Sequence, residues 1–219
     1  MNRRTLLLGL SGAAVIAVAG GWIASRQGAG QTSFAVPAMA EDAPAAALLP
    51  DVPLGSPDAP VTLIEYASYT CPHCATWHKE IYPRLKAEFI DTGKVRFIHR
   101  EVYFDKFGLW AGLIAGCGGD LKYHAISGMI YDSQQDWIGD GTEATIAANL
   151  RKIGLKAGLG QEQIEACMTD QKRMEAMVAT YQKNATADDI NATPTLVING
   201  EKFSNMPWEE LKTLIEAKL

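Results

Sequence analysis

The alternation of apolar and polar positions divides the chain into strand-like and helix-like segments. "VTLIEYAS", Val61 to Ser68, is short, β-branched at its start and mostly apolar, which suits a buried strand. Beyond it Trp77, Ile81, Leu85 and Phe89 recur every fourth residue, the stripe of a helix with one buried side. Pro72 fits the first helical position, where its missing N–H would be unpaired anyway. Pro83 predicts a bend, because it removes a hydrogen bond and crowds the preceding turn. "KVRFIHREV", Lys94 to Val102, alternates in part and predicts a second strand. From about Asp105 to Asp189 the pattern is helical, interrupted by "GCGGD", "GDGTE" and "AGLG". "TPTLVING", Thr193 to Gly200, predicts a short apolar strand with Asn199-Gly200 as a hairpin turn, and "EKFSN" its return strand. "PWEELKTLIEAKL" closes as an amphipathic helix with Pro207 at its start and Trp208, Leu211, Leu214 and Ile215 on one side. The first strand, the crossover helix and the second strand predict a right-handed βαβ unit.

Composition narrows the class. The 219 residues carry a formal net charge of −5 and 47% hydrophobic content, which fits one globular domain, with or without a large insertion, plus a leader. That balance argues against disorder, and the mild acidity without a basic run in the folded part gives nucleic acid nothing to bind. Arg3 and Arg4 precede an uncharged stretch from Thr5 to Ser25, the pattern of a secretory leader. The stretch is also just long enough to span a bilayer, although Gly9, Gly12, Gly20 and Gly21 weaken it as a permanent anchor. Ala38-Met39-Ala40 offers a cleavage site, and "NRRTLLL" resembles a twin-arginine signal with Asn2 where Ser or Thr is usual. Residues 1–40 are therefore expected to be a signal peptide or an N-terminal inner-membrane anchor, exported by the Sec or the twin-arginine route. Either way the folded part lies outside the cytoplasm, where disulfides persist. Residues 41–59, rich in Ala and Pro, read as a linker and extended lead-in.

The candidate chemistry lies in Cys71-Pro72-His73-Cys74. A bare pair at this spacing is compatible with a redox centre, half a metal site or a local crosslink. A crosslink within one helical turn closes a tiny loop and stabilises little, because the entropic gain grows with loop length. A metal site would draw on Cys71, Cys74, His73 and His78, with copper(I) or zinc favoured by the thiolates. His73 and Cys74 diverge by about 100° on a helix and converge poorly on an ion, so no metal is expected. The redox reading gains from position. Cys71 at the helix mouth faces unpaired N–H groups and the positive end of the helix dipole, which stabilise a thiolate, and the His73 imidazole is expected to add to this. Cys74, one turn deeper, is shielded and stays a thiol longer. His99, His124, Met168, Met174 and Met177 read as core or surface filler, and "QKRMEAMVATYQK" as a solvated helix face.

"CPHC" after a strand, with "NATPT" far downstream before another strand, resembles the DsbA-type thiol:disulfide oxidoreductases of the bacterial periplasm, over about residues 50 to 219. The resemblance implies an α/β, thioredoxin-like fold with an inserted helical domain. Residues 60–104 and 190–219 would form the thioredoxin-like domain and 105–189 the insert. It further implies Cys71 as nucleophile, Cys74 as buried partner, and Pro72-His73 as the dipeptide typical of oxidising members. Glu65, six residues before Cys71, matches a buried acid that moves protons to and from the buried sulfur. Pro194 matches a cis-proline facing the cysteines, which leaves the backbone of Thr193 open to an extended substrate peptide. Taken alone, Pro194 is an ordinary strand-leading proline and Glu65 an edge-strand acid. Cys117 and Cys167, which remain once Cys71 and Cys74 are paired, match a second disulfide in the helical domain of the alphaproteobacterial branch; otherwise they are two small core residues.

The implied function is donation of the Cys71–Cys74 disulfide to unfolded exported proteins with free thiols. No other cofactor is implied, the protein would be a periplasmic monomer, and a DsbB-type quinone-linked membrane partner would reoxidise it. Thr193 departs from the Val most common in oxidases and points toward a reductase or isomerase on the same fold. A copper- or zinc-binding carrier using Cys71 and Cys74 is the reading from a different class.

Overall fold

The computed structural model describes residues 47–219, so the expected leader lies outside the described residues. Strand β2 (Val61–Ala67) has Val61, Leu63 and Ala67 without solvent exposure, because it runs through the middle of the sheet and is covered on both faces. The sheet also contains β1 (Pro53–Leu54), β3 (Val95–Glu101), β4 (Thr195–Ile198) and β5 (Glu201–Ser204), in the order β1-β3-β2-β4-β5. β2 and β3 are parallel, and the other neighbours are antiparallel. Asn199 and Gly200 both have positive φ, 49° and 85°, the conformation a two-residue hairpin turn between β4 and β5 requires.

The crossover from β2 to β3 begins with helix α1 (Pro72–Glu80), with Pro72 in its first turn. It breaks at Ile81, resumes as the four-residue α2 (Tyr82–Leu85) around Pro83, and ends in a π-helical turn over Lys86–Ile90. The bend expected at Pro83 is thus a break two residues earlier, at Ile81, where the proline ring crowds the preceding carbonyls. The π turn, unforeseen from periodicity, carries Phe89 and Ile90 into the core. Trp77, Leu85 and Phe89 pack with Phe97, Leu196 and helix α9 (Trp208–Glu216). Leu211 and Ile215 of α9 are fully buried, each worth about 1.5–3 kcal/mol by transfer.

Residues 105–189 supply six helices among the described residues: α3 (Lys106–Cys117), α4 (Asp120–Asp132), α5 (Gln134–Ile138), α6 (Glu143–Lys156), α7 (Gln161–Met168) and α8 (Gln171–Ala187). Their limits follow local chemistry. Asp105 caps α3 by accepting from the N–H of Phe107 and Gly108 at 2.8 and 2.9 Å, and Asp170 caps α8 at Arg173 N. Gly119, Gly139, Gly141 and Gly158 take the left-handed conformations that end or separate helices. The block shares its core with the crossover: Cys74, Ala67 and Tyr69 belong to the same buried cluster as Ile114, Tyr131, Trp137, Ile146 and Leu150. Helix α8 is more than a solvated face, since Ala176, Met177 and Ala185 are buried beneath its charged side.

The lead-in also departs from expectation. Residues 51–54 are part of the fold, with β1 pairing antiparallel to β3 as an edge strand, a position that tolerates Pro53. Asp51 takes a bidentate contact from Arg100 at 2.8 and 3.0 Å, and Leu49 N donates to Thr180 Oγ1 at 2.8 Å. Short edge strands lack the run of alternating residues that would mark them in sequence. Among the described residues no helix is long and apolar enough to cross a membrane.

Cys117 and Cys167 are joined by a disulfide that ties the end of α3 to α7. The bond closes a loop with a sequence separation of 50, for which chain entropy gives a stabilisation of about 4 kcal/mol. Replacing both by alanine should lower the denaturant-derived unfolding free energy by about that amount. An unchanged midpoint and slope would show that the crosslink contributes nothing.

Candidate active site

The turn between β2 and α1 sets the two cysteines in opposite environments. Cys71 is the N-cap of α1, with an extended backbone (φ −81°, ψ 119°), and its carbonyl accepts the N–H of Ala75 at 3.2 Å. Its sulfur therefore sits among N–H groups with no helical partner. Cys74, one turn further, is fully buried, whereas Cys71 is half-buried. Both carry free thiols.

Their acidities diverge accordingly. Hydrogen bonding from Cys74 does most to lower the Cys71 thiol, aided by the Thr193 side chain and the backbone N–H groups of Cys74 and His73. Together they overcome the opposing effect of burial and bring it to about 5. Cys74 moves the other way, pushed far up by its hydrogen bond to Cys71, by burial and by the charge of Glu65. One sulfur is an acidic, reachable thiolate and the other a protected thiol. The His73 contribution differs from the expected one: its ring is exposed and makes no hydrogen bond among the described residues, and its backbone N–H is what acts on Cys71.

Glu65 lies on the central strand, fully buried, and not at an edge in water. Its Oε2 is 2.9 Å from Nε2 of His78, which sits one turn beyond Cys74 on α1. The Thr193–Pro194 peptide is cis, and the Cys71 thiol donates to the Thr193 carbonyl at 3.6 Å. The structure thus gathers Glu65, Cys71, Pro72, His73, Cys74, Thr193 and Pro194 around the mouth of α1, whereas Cys117 and Cys167 lie in the helical block.

Three positioning residues have no signature in the periodicity. Buried Gln134 of α5 donates from Nε2 to the carbonyls of Tyr69 and Cys71 at 2.8 and 3.0 Å, fixing the loop that presents Cys71. Thr70 donates to Asp105 Oδ2 at 2.7 Å, so the cap of α3 also holds the residue before Cys71. Only a buried amide beside a catalytic loop reveals such a role, and burial is a tertiary property.

Glu65, His78 and His99 are the residues that would hold a metal ion: each offers one ligand atom, all within 4.8 Å of one another. Part of this donor set is already engaged, while Glu65 Oε1 and His78 Nδ1 have no partner among the described residues. His78 bonds Glu65, and the two ring nitrogens of His99 are 2.9 and 3.0 Å from the hydroxyls of Tyr123 and Tyr131. The cluster is a hydrogen-bonded one, built on the parallel register that sets Glu65 beside His99.

The fold and this site define a class, a thioredoxin-like protein with two cysteines at the start of a helix and a cis-proline beside them. A family model described as "Thioredoxin" matches residues 49–217. "Disulfide bond formation protein D" of Bacillus subtilis is 28% identical over 181 residues, covering 76% of each chain. A Rickettsia bellii relative named "Putative protein-disulfide oxidoreductase" is 30% identical over 167 residues, 76% of this chain. This chain spans 63% of that relative's length. The crystal structure of alpha-DsbA1 from Wolbachia pipientis superposes with a TM-score of 0.70 and 28% identity, covering 78% of this chain and 92% of that one. The chain belongs to the thioredoxin family and, within it, to the DsbA type.

The Cys71 acidity has a consequence for the reduced protein. A thiol acidified by folding adds stability that is complete above the ordinary thiol pKa, about 8.5, and is lost as pH falls through about 5. Between about pH 8 and 5 the reduced chain should lose unfolding free energy that Cys71→Ala does not lose. Parallel pH profiles for the two proteins would contradict the assignment.

Proposed function

We propose that the chain is a thiol:disulfide oxidoreductase that works outside the cytoplasm and donates its Cys71–Cys74 disulfide to exported proteins. The observation that carries this reading is the placement of the two sulfurs across one helical turn, Cys71 at the N-cap of α1 beside the cis Thr193–Pro194 peptide and Cys74 fully buried, which lowers the first thiol and raises the second. A substrate thiolate attacks Cys71 Sγ of the disulfide, Cys74 leaves, and a second substrate thiolate displaces Cys71 from the mixed disulfide. A stable Cys71 thiolate is a good leaving group in that last step and favours the reduced form of the protein, which makes its disulfide oxidising.

Thr193 presents its carbonyl beside Cys71, where an extended peptide would pair with the backbone as an added strand. The chemical reading extends to the setting given by residues 1–40: export by the Sec or twin-arginine route, a periplasmic location, and reoxidation by a DsbB-type quinone-linked membrane partner. The names of the relatives in Bacillus and Wolbachia support disulfide chemistry as the activity. A reductase or isomerase direction is the second reading, favoured by Thr193 in place of the Val usual in oxidases.

Direction is decided by the reduction potential of the pair, read from equilibrium with glutathione. An oxidant lies near the value of about −120 mV for a strong disulfide donor, and a reductant near about −270 mV. On the proposed reading Cys71→Ala abolishes oxidation of reduced peptides, and Cys74→Ala accumulates mixed disulfides through Cys71. A potential close to the reductant value, or mixed disulfides accumulating through Cys74 instead, would reverse the assignment.

A further inference from the structure

Cys74 and Glu65 are both fully buried. In the proposed reaction the substrate thiolate forms a bond to Cys71 Sγ, the Cys71–Cys74 bond breaks, and its electron pair remains on Cys74. A second substrate thiolate then bonds to the substrate sulfur, and Cys71 leaves with its pair. Two electrons have passed from substrate sulfurs to the protein, Cys71 ends as a thiolate, and Cys74 as a thiol that has gained one proton. Because the Cys74 thiolate is strongly disfavoured where it sits, that proton must arrive as the bond breaks. Cys74 has no solvent-exposed surface, so the proton reaches it through the interior whichever thiol attacks Cys71.

Two buried polar atoms beside Cys74 have no partner: Glu65 Oε1 and His78 Nδ1. Buried polar atoms without a partner are uncommon in folded proteins and call for an explanation. Beyond them the interior is polar in one direction. His99, adjacent to Glu65 in the parallel register, bridges the hydroxyls of Tyr131 and Tyr123. Tyr123 donates to Glu101 Oε1 at 2.7 Å, and Tyr103 donates to Glu101 Oε2. Glu101, His99 and Tyr123 line a cavity of about 270 Å³ between β3, α3 and α8, away from both cysteines. Gly112 on α3 opens that wall: a Cβ there would overlap the Glu101 carboxylate. Burial keeps His99 neutral, with one ring nitrogen a donor and the other an acceptor, so exchanging tautomers passes a proton across the ring.

We propose that His78, His99 and Tyr123 form an internal proton route joining Glu65, behind Cys74, to the cavity walled by Glu101. Its hydrogen-bonded links are Glu65 to His78, His99 to Tyr123 and Tyr123 to Glu101. The one open step lies inside the Glu65–His78–His99 cluster and is no longer than 4.8 Å. His78 and His99 are positioning residues for Glu65, and neither touches substrate. The inference rests on the reading of Cys71 and Cys74 as a redox pair.

The test is the rate at which dithiothreitol reduces the Cys71–Cys74 disulfide of the full chain, beside the glutathione equilibrium constant of the same samples. His78→Gln and Tyr123→Phe should slow reduction about tenfold or more, since positioned proton transfer contributes roughly 10²- to 10⁴-fold, while the equilibrium constant of Tyr123→Phe moves less than about twofold. Tyr123→Phe keeps its ring and deletes one oxygen, so it decides the matter if His78→Gln does not fold. A Tyr123→Phe rate equal to wild type overturns the route, as does an equilibrium constant that shifts in step with the rate. Dithiothreitol needs no physiological partner, so a wild type that reacts with it but fails to oxidise peptides would overturn the oxidant reading, not the route.

Discussion

One turn of helix separates a sulfur that faces water and unpaired N–H groups from a sulfur that faces the core, and the rest of the structure serves that contrast. The N-terminus of α1 supplies the donors, and the helical block packed over the same helix supplies the burial of Cys74. The contrast survives only if the helix starts at Cys71 and stays docked between the sheet and the helical block. Pro72 enforces the first condition, and Trp77, Leu85 and Phe89 against the sheet and α9 enforce the second.

The helical block contributes to the same end. It lends Tyr131, Trp137 and Ile146 to the core around Cys74, and it reaches back through Gln134 and Asp105 to hold the loop that presents Cys71. The central strand adds Glu65 with His99 at its side, which puts a carboxylate and an imidazole where an ordinary sheet carries aliphatic residues. Such groups cost stability when buried without full hydrogen bonding, which is why they occur where chemistry needs them.

Much of the fold was legible because it rests on local rules. Val61–Ala67, Val95–Glu101 and Thr195–Ile198 are marked by apolar runs, Asn199-Gly200 by the conformation its turn requires, and the helical block by its glycines. The cysteine pair was legible because helix entry follows from Pro72, whereas the cover over Cys74 comes from the helical block and not from the i, i+4 stripe. What stayed hidden depends on partners distant in sequence. β1 exists only because β3 offers an edge, and the π turn over Lys86–Ile90 follows from fitting Phe89 and Ile90 into a formed core. Gln134 gives no sign of reaching Cys71 across 63 positions. His99 reads as core filler, and its two tyrosine partners come from a helix 24 and 32 positions away. His73 shows the opposite case, a residue whose ring suggests a role that its exposed position gives to its backbone N–H.

If the mouth of α1 acidifies Cys71 as its geometry requires, Cys71 is a thiolate at neutral pH. Thiolate ultraviolet absorbance of the reduced protein, titrated against pH with Cys71→Ala as the reference, measures this directly. The expected result is a single transition centred near pH 5 that disappears in Cys71→Ala, with no second thiolate appearing before the protein unfolds in alkali. A midpoint near the free-thiol value of about 8.5 would contradict it.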